Sequence, residues 1–453
     1  MVRSLSSIVL AFLFQTSIIT AQPPPDNPLP TPPTFAPPSL SLNPSIGPSA
    51  AAQSIPPGFQ QPYLRGDNGT NGPEIEIVHY FNDQWPIGIA VSPNGRIFTC
   101  YTGNPTLTLG EVTNLTGEAP YPSLELNSPP GGRGASAAGY RFGSNATDYF
   151  ISVQAMYFDP MGRLWILDTG RPTIDNQTVY AQVGGPKVVV MDISNNTIVR
   201  NYTFSPECHF PDSYMNDIRL DFRPSLTPSG EGVAYIVDSS DEGRNGFILL
   251  DLGTGQCWRR LTRHPSTLVV YNAVPAYNGI PFYQRPPGMY VRGLPEGNDG
   301  IALSADGNML YYAPLTSYYL YAVPTEVLLV RDEDSAYAEW NASNHVQNLG
   351  QKGSMTNGFD SDSNNVIYMS APQTNSILQY RPNVSPIVES FVRDPRLLWT
   401  DTMTIGFDGY LYGDATQLFD QPAWNNGTDY RNYPGFIYRV KLADNGMKIT
   451  TLR

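Results

Sequence analysis

From Trp85 onward, apolar residues recur at alternate positions in short runs, and successive runs are split by turns rich in Asn-Gly and Asp-Gly. Six segments share the pattern. They are WPIGIAVSPNGRIFTCYTG (85–103), VQAMYFDPMGRLWILDTG (153–170) and MNDIRLDFRPSLTPSGEGVAYIVDSS (215–240), then NDGIALSADGNMLYYAPL (298–315), TNGFDSDSNNVIYMSAP (356–372) and TDTMTIGFDGYLYGDA (400–415). A period of two marks half-buried strands, and the turn residues supply the positive φ of a tight connection, so each segment predicts a β-hairpin. Further strand candidates follow in GGPKVVVMDI, NGFILLDLGTGQCWRRL, YYLYAVPTEVLL, NSILQYRP and GFIYRVKL. Two hairpins per repeat make a four-stranded blade. Six repeats in residues 63–453 average about 65 residues each, which predicts an all-β, six-bladed β-propeller with inserted loops. Blades cannot bury their faces alone, so residues 63–453 read as one domain. EIEIVHYF (74–81) is placed to pair with GFIYRVKL (435–442) and close the ring.

Alignment on the turn glycine picks out one position eight residues earlier: Ile87, Gln154, Asp299 and Asp401, with Asn216 and Asn357 in the repeats whose turns differ. The innermost strand of a blade starts near one mouth of the channel, so these six side chains should converge there. Two carboxylates and three carboxamides form an oxygen-rich cup. Asn216, Asp299, Asn357 and Asp401 are candidate ligands for a hard cation such as Ca2+, and otherwise hydrogen-bond backbone N–H groups of neighbouring blades and hold ordered water in the channel. Gln154, Asn216 and Asn357, with the aromatic Trp85 and Tyr312, are the candidate substrate contacts. Asp299 and Asp401 are the candidate catalytic acids or bases.

Composition narrows the class. The chain has 453 residues with 43 Pro and 40 Gly, 15% charged residues and a net charge of −13, and no run of five basic residues. Helical bundles and nucleic-acid partners are disfavoured. Residues 1–21 have the layout of a secretory signal and residues 22–62, with 14 Pro in 41, that of a polyproline-like spacer, so a secreted chain is expected with no membrane partner. Nine N-x-S/T sequons fit export: Asn68, Asn114, Asn145, Asn176, Asn195, Asn201, Asn341, Asn383 and Asn426. Of three cysteines, Cys208 and Cys257 are expected to pair, leaving Cys100 as a buried thiol in RIFTCY. The oligomeric state is not legible.

Covalent chemistry finds no motif. His79, His209, His264 and His345 are scattered without zinc-enzyme spacing, and there is no G-x-S-x-G elbow or Gly-rich phosphate loop. His264 is the histidine to test first. The 28 Tyr gather in stretches such as VVYNAVPAYNG, PFYQRPPGMYV and YYAPLTSYYLYAV, which serve blade packing or wall an aromatic pocket.

SVQAMYFDPMGRLWILDTG, GGPKVVVMDI, MNDIRLD, GQCWRRLTRHPS, GIALSADGNMLYYAPLTSYYLYAVPTEVL and GQKGSMTNGFDSDSNNVIYMSAP together resemble the Yellow/major royal jelly protein family over most of residues 74–442. The N-D-G-I-A-L-S-A-D-G stretch is more loosely similar to the gluconolactonase and senescence-marker-protein propellers. In those, residues matching Asn216, Asp299 and Asn357 help to hold a divalent metal, whereas Ile87 here stands near the place of a metal-binding Glu. The signal and Pro-rich spacer are also similar to fungal secreted propellers that include hetero-Diels–Alderases. That resemblance implies an enzyme of secondary metabolism that joins a quinone-methide or tropolone-like intermediate to a terpene alkene, with no cofactor required. A Yellow-like tautomerase, a metal-dependent lactonase and a non-catalytic binder of small amines or phenols are the alternatives.

Overall fold

Each repeat does form a four-stranded antiparallel meander in which consecutive strands pair. The computed structural model describes residues 69–453 apart from 102–106, 138–139, 175–176, 278–279 and 332–334. The expected signal and spacer, Asn68 and Asn176 lie outside the described residues.

Blade 1 runs from Gly88 to Pro120, blade 2 from Val153 to Thr203, blade 3 from Met215 to Arg260, blade 4 from Asn298 to Gln351 and blade 5 from Phe359 to Arg393. Blade 6 combines Met403–Ile405, Tyr410–Ala415 and Gly435–Lys441 with the N-terminal strand Ile75–Phe81, so the predicted closure holds, with Ile75 opposite Val440 and Phe81 opposite Gly435. The first strands of successive blades neighbour one another in order, and that of blade 6 returns to that of blade 1. They therefore line the axis. The hairpin turns repeat one device: Gly95, Gly162 and Gly307 take positive φ, and their N–H groups donate to Ser92, Asp159 and Ser304.

Apolar side chains pack between blades rather than within them. Trp165, Val188 and Val190 of blade 2 meet Ile218, Ile236 and Ile248 of blade 3. Tyr235, Phe247 and Leu249 of blade 3 meet Ile301, Leu310 and Tyr312 of blade 4. This explains the low charge of the chain, because both faces of most strands are covered. Cys208 and Cys257 form the expected disulfide, tying the segment after blade 2 to the last strand of blade 3, and Cys100 is a buried thiol. Asn114, Asn145, Asn195, Asn201, Asn383 and Asn426 are exposed, while Asn341 is half-buried in a helix, Ser335–Asn344.

The meander puts the long connections on one face. Segments 121–152, 169–186, 261–297 and 416–434 all join either a last strand to the next first strand or a second strand to a third. From these and the neighbouring loops comes a separate apolar cluster that includes Tyr277, Phe282, Leu294, Trp399, Phe419 and Trp424. The first strands begin on that face.

A hydrogen-bonded ring at the channel mouth

The predicted ring residues occupy the starts of the innermost strands, and local backbone irregularity aims them. Register shifts fall between Val153 and Ala155, between Met215 and Ile218, and between Asn298 and Gly300. Gln154, Asn216 and Asp299 are thus bulge residues, released from the alternation that fixes their neighbours. The glycines that follow two ring residues have a packing cause. A Cβ on Gly300 would collide with the Asn357 carbonyl and the Phe359 ring, and one on Gly358 with the Asp401 carbonyl. Each blade's inner strand lies that close to the next.

Tyr214 Oη donates to Gln154 Oε1 (2.7 Å), Gln154 Nε2 to Asn216 Oδ1 (2.9 Å) and Asn216 Nδ2 to Asp299 Oδ1 (2.7 Å). On the other side of the ring Asn357 Nδ2 donates to Asp401 Oδ1 (3.1 Å). Asp414 Oδ1 accepts the Asp401 and Thr402 N–H groups at 2.9 and 3.2 Å. The chain of bonds breaks between blades 4 and 5, where Asp299 Oδ2 and Asn357 Oδ1 are buried without a partner among the described residues. Asp299 is 3% exposed and Asp401 7%, while Tyr214 and Asn216 are half-buried.

Burial and mutual repulsion favour neutral carboxyls here. Burial, then Asp401 and Glu296, push Asp299 well above the usual carboxylate range. Burial and Asp414 do the same to Asp401, with the Trp399 indole opposing. Glu296 is pushed up to about 8 by burial and by Asp241, and Asp414 to about 7 by burial. Lys352, whose Nζ donates to the Ser317 and Tyr319 carbonyls at 3.1 Å, is lowered by burial to about 7. Such an arrangement holds protons ready for donation at neutral pH.

The other predicted residues are placed differently. Ile87 packs in the apolar cluster of blades 1 and 2. Trp85 stacks on Tyr433 at 4.6 Å with the Arg431 guanidinium 4.8 Å from its ring, at the seam of blades 6 and 1. Tyr312 lies in the core between blades 3 and 4, edge-on to Phe247, with its hydroxyl 2.6 Å from Ser266 Oγ. His264 bonds the same Ser266 at 2.7 Å, so it belongs to that core network and not to the ring. Tyr214, Glu296, Lys352 and Trp399 were not singled out from the sequence. Tyr214 and Trp399 each precede a ring residue by two positions, a spacing visible in YMN and WTD. Trp399 also has φ 59, rare for a bulky residue.

The opposite end of the channel is closed. Residues 443–453 cross it as a strap: Ser363 N–H donates to the Met447 carbonyl (2.8 Å) and Phe222 N–H to the Leu452 carbonyl (3.1 Å). Ile449 and Leu452 join the core of blades 3 and 4. Above the strap, Arg219 donates to Asp217 (2.7 Å) and to the Phe359 carbonyl, lies 3.8 Å from Asp360 and covers the Tyr157 ring at 5.0 Å. Lys448 Nζ sits 3.7 Å from the centre of the same ring.

A cavity of about 380 Å³ between blades 2 and 3 is lined by Trp165, Tyr202, Phe222 and two arginines, none of them in the ring. Arg163 and Arg200 are already paired with Asp159 and Glu231, so the cavity offers no unmet charge.

The sequence signature described as Major royal jelly protein matches residues 151–420, more than half of the chain. Protein yellow of Drosophila pseudoobscura pseudoobscura is 30% identical over 49% of this chain and 34% of its own length. Protein yellow of Drosophila madeirensis is 27% identical over 59% of this chain and 42% of its own length. The chain thus spans well under half of these relatives. A solved luciferin-regenerating enzyme superposes with a TM-score of 0.47 at 11% identity, covering 83% of this chain and 97% of that one. Likeness at that level leaves the fold to rest on the strand pairings.

Proposed function

The chain belongs to the major royal jelly protein family, and from that premise we propose that the ring is the reaction site of a secreted small-molecule enzyme that promotes dehydration and cyclisation by proton donation. The observation that carries this reading is the pair of buried carboxyls, Asp299 and Asp401, each held by a carboxamide in its own hydrogen-bonded chain on the channel-lining strands, with Asp299 Oδ2 lacking a partner among the described residues. A neutral carboxyl at Asp299 donates its proton to the benzylic hydroxyl of a hydroxybenzyl substrate, the C–O bond breaks and water departs, and the phenolic proton passes to the Asp299 carboxylate so formed, leaving a neutral quinone-methide diene and a reprotonated Asp299. The second carboxyl, or the Tyr214 hydroxyl, donates to the carbonyl oxygen of that diene. A hetero-Diels–Alder addition to an apolar alkene then forms one C–C and one C–O bond, with no nucleophile, redox partner or cofactor. Orientation and hydrogen bonding to the polarised carbonyl supply the acceleration.

The test is product formation from a hydroxybenzyl precursor and a terpene alkene. Asp299→Asn and Asp401→Asn together are expected to lower the rate by about 10²-fold or more. Unchanged rate and stereochemistry would remove both residues from the mechanism.

A second reading rests on the two free oxygens, Asp299 Oδ2 and Asn357 Oδ1. Facing adjacent blades, they suit a bridging Ca2+, with Asn216 and Asp401 completing the set after the carboxamides turn over. Among the described residues no group of three His, Cys, Asp or Glu side chains converges as a metal cluster, so the carboxamides and water would supply most ligands. Such an ion would polarise a lactone carbonyl, and chelation would abolish that activity. Sequestration of an amine or phenol without turnover predicts saturable quenching of tryptophan fluorescence and no product.

A further inference from the structure

We propose that the hairpin from Tyr283 to Gly293, on the mouth face, is a lipid-docking element that sets the channel mouth against a phospholipid bilayer. Tyr283–Gln284 pairs with Arg292–Gly293, and the tip between them reads R-P-P-G-M-Y-V. Met289, Tyr290 and Val291 are 55%, 94% and 59% exposed. Three consecutive apolar residues held in water at a hairpin tip are the kind of surface that marks an interaction site.

The tip is anchored firmly from below. Phe282 and Leu294, just outside its two feet, are buried in the aromatic cluster. Arg285 N–H donates to the Ala423 carbonyl (3.2 Å), and Asn426 N–H donates to the Arg285 carbonyl (2.8 Å). The tip is therefore presented by a fixed base.

Charge decides the occupant. The whole chain carries −13, yet residues 263–295 contain three Arg and no Asp or Glu. Arg285 and Arg292 flank the apolar tip as its feet. Arg292 shares the Asp241 carboxylate at 3.1 Å, whereas among the described residues Arg285 has no carboxylate partner and Arg263 is exposed. On the adjoining loop, Asp429 is paired with Arg431. An apolar and aromatic tip with a cation at each foot matches the bilayer interface, where tyrosine sits at headgroup depth and guanidinium groups hold phosphates. Among the described residues no helix is long and apolar enough to cross a membrane, so the contact is peripheral. For one face, this proposal departs from the expectation of no membrane partner. It stands independently of the proposed reaction.

The test is flotation of the full chain with vesicles of phosphatidylcholine, with and without phosphatidylglycerol. The native chain is expected to float with both, more tightly with the anionic lipid and less so as salt is raised. Met289→Ser, Tyr290→Ser and Val291→Ser combined should cut the affinity about 10-fold or more, and Arg285→Gln about 3-fold. The urea midpoint of each should stay that of the native chain, because the substituted side chains lie outside the core. A native chain that floats with neither vesicle, or a triple variant that floats as well as the native chain, overturns the proposal. So does a native dimer that the triple substitution dissociates while neither form binds vesicles, since the occupant is then a second copy.

Discussion

The two ends of the channel are built from the same six strands and treat charge in opposite ways. Where the strands begin, Asp299, Asp401 and Asp414 are buried, and among the described residues no cation bonds to them and Asp299 Oδ2 and Asp414 Oδ2 have no donor. Near the strapped end, Arg219 is bracketed by Asp217 and Asp360, bonded to a carbonyl and laid on Tyr157, although its Nε and Lys448 Nζ are also buried without a hydrogen-bond acceptor among the described residues. Buried polar groups are normally satisfied, and exceptions gather where chemistry or ligands complete them. The difference lies in pairing: at the strapped end the carboxylates have a cation beside them, whereas at the mouth buried carboxyls repel one another.

The largest effect that would break this contrast lies at the strapped end. Arg219→Met removes the cation between Asp217 and Asp360 and leaves two buried carboxylates uncompensated, so the chain should lose about 3–5 kcal/mol of stability. Urea unfolding measures it. A loss below about 1 kcal/mol would mean that the strapped end is no more dependent on its charges than the mouth.

pH tests the buried carboxyls of the mouth next, against buried lysines whose slope is opposite, Lys352 beside the ring and Lys448 at the strapped end. Glu296 rises from an ordinary 4.5 to about 8 on folding, and Asp414 from 3.8 to about 7. Between those limits the folded chain holds protons that the unfolded chain has released. The mouth's contribution is therefore complete below about pH 4 and is lost progressively as the pH climbs toward 8. Lys448 at the strapped end is lowered from 10.5 to about 8 by burial, against which Asp360 pulls up. There the unfolded chain binds the extra proton, so stability is regained as the pH rises from about 8 to 10.5. Glu296→Gln should flatten the acid-side fall of the urea midpoint, and Lys448→Met the alkaline recovery. If Glu296→Gln leaves the profile from pH 5 to 8.5 unchanged, the carboxyl at the mouth is ionised throughout.

Much of the blade architecture was legible because strand alternation and turn glycines repeat at fixed offsets, as in Gly95, Gly162 and Gly307. The ring positions were legible for the same reason, since an offset of eight from the turn glycine survives a bulge placed at the strand's start. What the offset cannot give is connectivity. That Tyr214 completes the chain through Gln154, and that the break falls between Asp299 and Asn357, depends on side-chain reach across blades. Tyr312 shows the converse. Its strand, YYAP, looks like a pocket wall, but position 312 faces Phe247 across the blade 3–4 seam, and only packing reveals that. The strap was illegible because Lys448, Ile449 and Leu452 follow the last repeat with no period of their own. Trp85 marks the rim through its stack on Tyr433, from a segment whose aromatics carry no repeat.

The smallest effect is the most discriminating. Asp299→Asn keeps Oδ1 as the acceptor for Asn216 Nδ2 and replaces the unpartnered Oδ2 with an amide donor on the blade next to the unpartnered Asn357 Oδ1. A buried acceptor without a donor carries a desolvation cost, so the exchange should leave stability within about 1 kcal/mol of the native chain or raise it. The proton donor disappears with the carboxyl. A variant as stable as the native chain that has lost turnover therefore assigns the residue to chemistry. The outcome is read in the presence and absence of calcium. A native urea midpoint that climbs with calcium, beside a variant midpoint that does not, would give the oxygens of Asp299 and Asn357 to a cation. A midpoint indifferent to calcium in both chains leaves them to the proton.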